Sequence, residues 1–109
     1  MGKHRLGEFE EIVMLTVAIL YGEAYGIAII DEIEKRMERT VSIGSLQTVL
    51  RRLEKKGYLA SELGEITSVR GGKRKRFFTV TNLGRKALEA TKDERLGLWN
   101  AIPKIAFGD

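Results

Sequence analysis

Residues 42–57 constrain this chain more than any other stretch. Ser42 stands where a helix N-cap belongs, Ile43 to Lys56 keep a helical period, and Gly57 follows two lysines as a C-terminal stop. Advancing about 100° per residue, Ile43, Leu46, Val49, Leu50 and Leu53 fall within an arc of roughly 120°. The centre of the opposite face lies near Gly44, Thr48, Arg51 and Lys55, flanked by Gln47 and Arg52. One side must be buried; the other presents cations, an amide and a hydroxyl. Such a helix needs the rest of the chain as a scaffold for its apolar side.

The next segments form a second unit. Leu59-Ala60-Ser61-Glu62-Leu63 alternates like a short strand, and Arg76-Phe77-Phe78-Thr79-Val80 is a stronger one, rich in aromatic and β-branched residues. Between them, Gly64 to Lys75 includes Arg70-Gly71-Gly72-Lys73-Arg74-Lys75. A strand, a glycine-bearing basic loop and a return strand predict a hairpin with a cationic tip.

Two periodic segments come earlier. From about Leu6 to Tyr21, Phe9, Ile12, Val13, Thr16, Val17 and Leu20 recur at helical spacing, with Glu8, Glu10 and Glu11 in the first turn. The helix dipole favours anions there, so these glutamates read as surface residues. Met14, Leu15 and Ile19 widen the stripe, which predicts burial on more than one side. After Gly22, a second helix is expected from about Gly26 to Arg39, with Ile29, Ile30, Ile33 and Met37 inward. A last helix opens on Thr81 as N-cap and runs to about Ala101, ahead of Pro103. Its stripe is Leu83, Ala87, Thr91, Leu98 and Ile102, with Leu88 and Trp99 on the edge. At roughly 30 Å this helix outreaches a small domain. Its uncovered part is expected to meet the same helix of a second subunit.

Composition removes whole classes of chemistry. The 109 residues suit one domain, there is no Cys, and the only His is His4. No disulfide framework, thiolate nucleophile, histidine dyad, or Cys- or multi-His-ligated metal site can be built, and no catalytic, cofactor or metal residues are expected. The longest apolar run, Ile12 to Leu20, is interrupted by Thr16 and falls short of the ~20 residues that span a bilayer. It does not have the pattern of a signal peptide either, so a cytoplasmic chain with no membrane partner is expected. The net charge of +4 is uneven. Residues 41–80 stand at +6, residues 1–40 at −3 and residues 81–109 at +1. Positive charge concentrated over one helix and hairpin suits a polyanion.

Together these segments predict a mainly α chain with a small β-hairpin, in the order of a winged helix-turn-helix followed by a long C-terminal helix. Residues 1–80 form the DNA-binding domain, with helix three at about 43–56 and the wing at about 59–80. Residues 81–102 form a dimerisation helix packed on the same domain. The major groove of B-DNA admits one α-helix, whose outward side chains reach base edges.

At these residues the sequence also resembles the PadR-type transcriptional regulators in their short form, with one C-terminal helix. The matching stretches are Leu6-Gly7-Glu8-Phe9-Glu10, Gly22-Glu23-Ala24-Tyr25-Gly26 and Val41-Ser42-Ile43-Gly44-Ser45-Leu46 at the openings of the first three helices. Arg52-Leu53-Glu54-Lys55-Lys56-Gly57-Tyr58-Leu59, the wing Arg70 to Lys75, and Phe78-Thr79-Val80-Thr81-Asn82-Leu83-Gly84 continue it. The resemblance covers about residues 6–100. It implies a homodimeric, repressor-type regulator whose two recognition helices read a two-fold-related operator in double-stranded DNA. Many family members carry Tyr where this chain has Gln47; Gln can bond adenine bidentately and Tyr cannot, so the operator sequence should differ. In dimeric relatives an aromatic residue on the last helix can line a ligand cavity at the subunit interface, and Trp99 resembles that position. Read from the residues alone, Trp99 is a hydrophobic anchor of the dimer.

The candidate contacts on the recognition helix are Ser42, Gly44, Ser45, Gln47, Thr48, Arg51, Arg52 and Lys55, with Thr48 and Arg51 as base readers. Lys55 serves a phosphate or the helix C-terminus, and Lys56, toward the core side, only the latter. On the wing they are Arg70, Gly71, Gly72, Lys73, Arg74 and Lys75, a run that is otherwise a solvated loop. Tyr25, opening the second helix, reads either as core or as a phosphate neighbour. Leu88, Thr91, Leu98, Trp99 and Ile102 form the expected dimer surface, or the wall of a small-molecule effector site. The competing reading is a winged-helix module that docks an acidic protein without specific DNA readout; outward apolar residues on helix three would favour it. A third reading, an enzyme, is not expected, because the chain lacks Cys and its one His stands near the N-terminus.

Overall fold

A computed structural model describes residues 5–64 and 74–108. The expected order holds: α1 (Glu8–Ile19), α2 (Gly26–Met37), α3 (Ile43–Lys55), β1 (Leu59–Leu63), β2 (Arg76–Val80) and α4 (Asn82–Ala101), then a 3-10 turn (Lys104–Phe107). The strands pair antiparallel, with Leu59 opposite Val80, Ser61 opposite Phe78 and Leu63 opposite Arg76. Extra edge pairing comes from the segment before α2, where the Phe78 N–H donates to the Ala24 carbonyl at 2.9 Å. This bond ties the hairpin to the entry of α2.

The core lies where α1, α2 and α3 converge and the hairpin closes over them. Val13, Met14 and Val17 of α1, Ile29 and Ile33 of α2, and Leu46, Leu50 and Leu53 of α3 are fully or almost fully buried. These are the i, i+3, i+4 positions of each helix, so burial follows from periodicity. Gly57 takes φ +86°, the left-handed conformation that ends α3 and turns the chain into β1.

The joint between hairpin and α4 is built on two residues. Thr81 accepts the Gly84 N–H at 3.0 Å through its Oγ1, and the same hydroxyl donates to the Gly57 carbonyl at 2.6 Å. Gly84 then sits so close that a Cβ there would lie 2.2 Å from the Tyr58 carbonyl oxygen and 3.0 Å from Met14 Cε. Only the first half of α4 is covered. Gly84, Ala87 and Thr91 are buried, whereas every residue from 92 to 101 is exposed. The molecule is accordingly 62 Å long but only 30 by 22 Å across.

The structure corrects several expectations drawn from periodicity. Met37, Ile43 and Leu83 were placed inward but are 46, 48 and 43% exposed, because each lies at a helix end where neighbouring elements no longer cover the stripe. Leu15 and Ile19, expected to bury a second side of α1, are also exposed. Leu15 instead borders a groove shared with Arg85, Leu88 and Glu89 of α4. Thr91, expected on the dimer surface, is buried within its own fold and donates its hydroxyl to the Ala87 carbonyl at 2.9 Å. Glu10, read as a surface residue, is buried.

Candidate nucleic-acid interface

The recognition helix is fixed at both ends. At its start, Ser42 Oγ accepts the Ser45 N–H at 3.1 Å and the two serine hydroxyls lie 2.9 Å apart, so N-cap and first turn lock together. Just before it, the Val41 N–H donates to Glu34 Oε2 at 2.9 Å, which sets the turn between α2 and α3. At its far end, Glu54 accepts from Ser61 Oγ at 2.7 Å, and that hydroxyl in turn accepts from Arg76 Nη1 at 3.0 Å. Arg76 is thereby committed to the base of the hairpin.

With Leu46, Val49, Leu50 and Leu53 turned inward, Gly44, Ser45, Gln47, Thr48, Arg51, Arg52 and Lys55 are all exposed. The outward cations divide into two lanes. Arg51 and Lys55 point away from the body, and among the described residues neither has an ion pair or hydrogen bond. Arg52 and Lys56, one helical turn apart, lean toward the start of α1. There Glu10 Oε2 accepts from Lys56 Nζ at 3.1 Å and lies 3.7 Å from Arg52 Nη1. The other oxygen, Oε1, accepts the Gly7 N–H at 2.9 Å, half of a capping box, since Gly7 has no side chain to return the bond. Burial pushes the Glu10 carboxyl up, but the Gly7 N–H, the Lys56 hydrogen bond and the charges of Lys56 and Arg52 outweigh it. The carboxyl is held below its ordinary value.

The wing root joins this surface through aromatic contacts. Lys75 Nζ lies 4.1 Å from the centre of the Tyr25 ring, and Tyr25 meets Phe77 edge to face at 5.7 Å. Phe77 in turn packs on Gly64, where a Cβ would stand 2.6 Å from its ring. On its other side, Tyr25 leads directly into Gly26, whose Cβ position is 3.9 Å from Gln47 Nε2 and 3.7 Å from Ile43 Cδ1. Lys75, Tyr25, Gly26 and Gln47 therefore form one continuous surface from wing root to recognition helix. Tyr25 is half-buried against Phe77 with its ring face turned to Lys75. Arg74 is exposed beside it; Arg70, Gly71, Gly72 and Lys73 lie outside the described residues.

Sequence reasoning missed Glu10 as a partner of the recognition helix. Its position three residues after Gly7 signals a helix start, but nothing local signals Lys56, 46 residues away. At the other end of the molecule, Leu98 and Trp99 are exposed, and the Trp99 ring meets Phe107 at 6.5 Å between ring centres. Arg95, Leu98, Trp99 and Ile102 line a shallow hollow of about 160 Å³. Leu88 lines a groove of about 300 Å³ with Glu11 and Leu15 of α1. Among the described residues no helix is long and apolar enough to cross a membrane.

The model of the transcriptional regulator PadR-like family matches residues 14–90. No curated protein matches the chain. A PadR-family transcriptional regulator from Eggerthella lenta is 25% identical, with a TM-score of 0.68 over 94% of this chain and 88% of that one. A PadR-like transcription factor from Bacteroides fragilis is 29% identical, with a TM-score of 0.66 over 87% of this chain and 89% of that one. A PadR-like regulator from Bacillus cereus shares the fold, with a TM-score of 0.71 at 21% identity over 93% of both chains.

Proposed function

The chain belongs to the PadR-like family of transcriptional regulators, a DNA-binding and non-enzymatic family, and from that premise we propose that it is a homodimeric, sequence-specific repressor acting in the cytoplasm. One α3 from each subunit enters the major groove of a two-fold-related operator, and occupancy of that site blocks transcription. The observation that carries this reading is the continuous surface from Lys75 through Tyr25 and Gly26 to Gln47, alongside the unpartnered Arg51 and Lys55.

On this surface Thr48 and Arg51, at the centre of the outward face, and Gln47 on its flank are the base readers, because their donors and acceptors are turned to solvent. Ser42, Gly44 and Ser45 bring the first turn of α3 against the DNA backbone. Lys55, Arg74 and Lys75, with Arg70, Gly71, Gly72 and Lys73 of the wing and Tyr25, take phosphates or the minor groove. Arg52 stands at the edge of this surface, where Glu10 competes for it.

Residues 1–80 serve as the DNA-reading unit and residues 81–102 as the dimerising one. The uncovered half of α4 supports this division: Leu96, Leu98 and Trp99 are exposed there, and further back along the helix Leu15 of α1 is exposed beside Leu88. Leu88 and Ile102 border the same surface. An effector would enter at the Trp99 hollow, where a second subunit would close the open side. Ile43, half-exposed at the start of α3, is the observation that favours the competing reading of a protein-docking face.

Selection of duplexes from a random pool tests the two together. A specific regulator enriches a two-fold-related sequence, and its log affinity for that duplex falls steeply with log salt, by about 0.9 per phosphate neutralised. A pool that yields no preferred sequence would overturn the proposal and favour the docking module.

A further inference from the structure

Glu10 lies outside the DNA-facing surface, yet its carboxylate reaches two cations at the end of the recognition helix, Arg52 and Lys56. Its carboxylate is nearly buried, at 11% side-chain exposure, while Arg52 and Lys56 are 52 and 41% exposed. Each cation thus keeps a solvent-facing side from which a phosphate could take it. We propose that Glu10 is a positioning residue, an internal counter-ion that withholds Arg52 and Lys56 from the DNA backbone and so holds down the sequence-independent part of the affinity. The inference rests on the DNA-reading role of α3 argued above and deepens it.

The physical reason lies in what each lane of α3 can contribute. Phosphate contacts are alike for every sequence, so each one raises the affinity for all duplexes equally. Base contacts in the lane of Gln47, Thr48 and Arg51 are made with the right sequence only. Two further cations at the edge of the groove would strengthen binding to any duplex, right sequence or wrong, and steepen its salt dependence. A carboxylate already within 3.1 Å of Lys56 and 3.7 Å of Arg52 occupies the place of a phosphate oxygen. The Gly7 N–H, held on the other carboxylate oxygen at 2.9 Å, keeps Glu10 aimed at them. The same pairs tie the start of α1 to the end of α3, which fixes the angle at which the base-reading lane is presented.

Salt titrations of duplex binding test this, using Glu10→Gln, Arg52→Gln and the double variant against the selected operator and an unrelated duplex. Glu10→Gln should steepen the log–log slope on the unrelated duplex by about 0.9 to 1.8, one or two phosphates. Two such contacts change affinity by about tenfold between 50 and 200 mM salt, so at low salt both duplexes should bind more tightly by up to that factor while their ratio stays the same. Arg52→Gln in the native background should leave the slope unchanged, because Arg52 is already neutralised. In the Glu10→Gln background it should remove part of the gain. A merely structural Glu10 predicts otherwise: both affinities fall and the slope stays the same. A folded Glu10→Gln protein with the native slope overturns the proposal. So does Arg52→Gln that flattens the native slope by about 0.9, a result that decides the matter even if Glu10→Gln fails to fold. Absence of a preferred operator would overturn the sequence-specific reading instead, and the slopes would still judge this one.

Discussion

Arg51 and Lys75 carry the same charge but stand in different surroundings, and the difference predicts different losses. Arg51 projects from the middle of the outward face of α3 and has no ion pair or hydrogen bond among the described residues, so its fork is turned to a base edge. Arg51→Ala should lose discrimination at one base position per half-site, by about 1–3 kcal/mol, as read by competition between single-substitution duplexes. Lys75 is held over the Tyr25 ring at the wing root. Lys75→Ala should weaken all duplexes alike and flatten the salt slope by about 0.9; a changed sequence preference would exchange the two roles. Glu10 adds a dependence on pH. Its carboxyl is lower in the folded protein than in the unfolded chain, so its contribution is complete above the ordinary carboxylate value. It is lost as pH falls from there through the lowered folded value. Thermal melts should show the native protein losing stability through that acid window, and Glu10→Gln losing less. Much of this scale was legible in the sequence. The outward identity of Gln47, Thr48, Arg51 and Lys55 follows from helical period alone. The pairing of Glu10 with α3 does not, since only folding brings residues 46 apart into contact.

Among the elements, the junction between the hairpin and α4 is the least tolerant of change. Thr81 caps α4 and holds Gly57 with the same hydroxyl, and Gly84 lets the helix touch the Tyr58 backbone. A Cβ at 2.2 Å from a carbonyl oxygen cannot be absorbed by a side-chain rotation, so α4 must shift. Gly84→Ala should therefore destabilise by about 1–3 kcal/mol, although alanine favours helix, and denaturant melts would register it. The helix starts at Ser42 and Thr81 and the stop at Gly57 could be read from residue type, because caps are local chemistry. Which glycine is sterically required could not. Gly84 and Gly44 look alike in the sequence, yet nothing lies within 4 Å of a Cβ at Gly44, while Gly84 is wedged against another element.

At the scale of the whole molecule, the defining feature is the 62 Å length, produced by an α4 whose second half buries no residue and meets the rest of the chain through surface contacts such as the Arg95–Glu11 pair. Exposed Leu98 and Trp99 would be poor choices for a helix that stays in water. Leu98→Lys with Trp99→Lys should leave the helical content of the DNA-reading unit intact and shift sedimentation from dimer to monomer. Operator binding should then drop steeply, since two linked half-sites bind far better than one. A native monomer at micromolar concentration would overturn the dimer.

The sequence by itself determined the order of elements, their caps and the cationic face of α3, because each depends on residues within a few turns of one another. It also determined that +6 of charge gathers on residues 41–80. Only the tertiary structure decided how that charge is shared. Arg52 and Lys56 are claimed by a buried carboxylate from α1, Arg76 is spent on the hairpin base, and Arg51, Lys55, Arg74 and Lys75 remain turned outward among the described residues. Charge is written in the chain, but the distance between charges is not; packing sets it, and distance decides which cations are left for a partner.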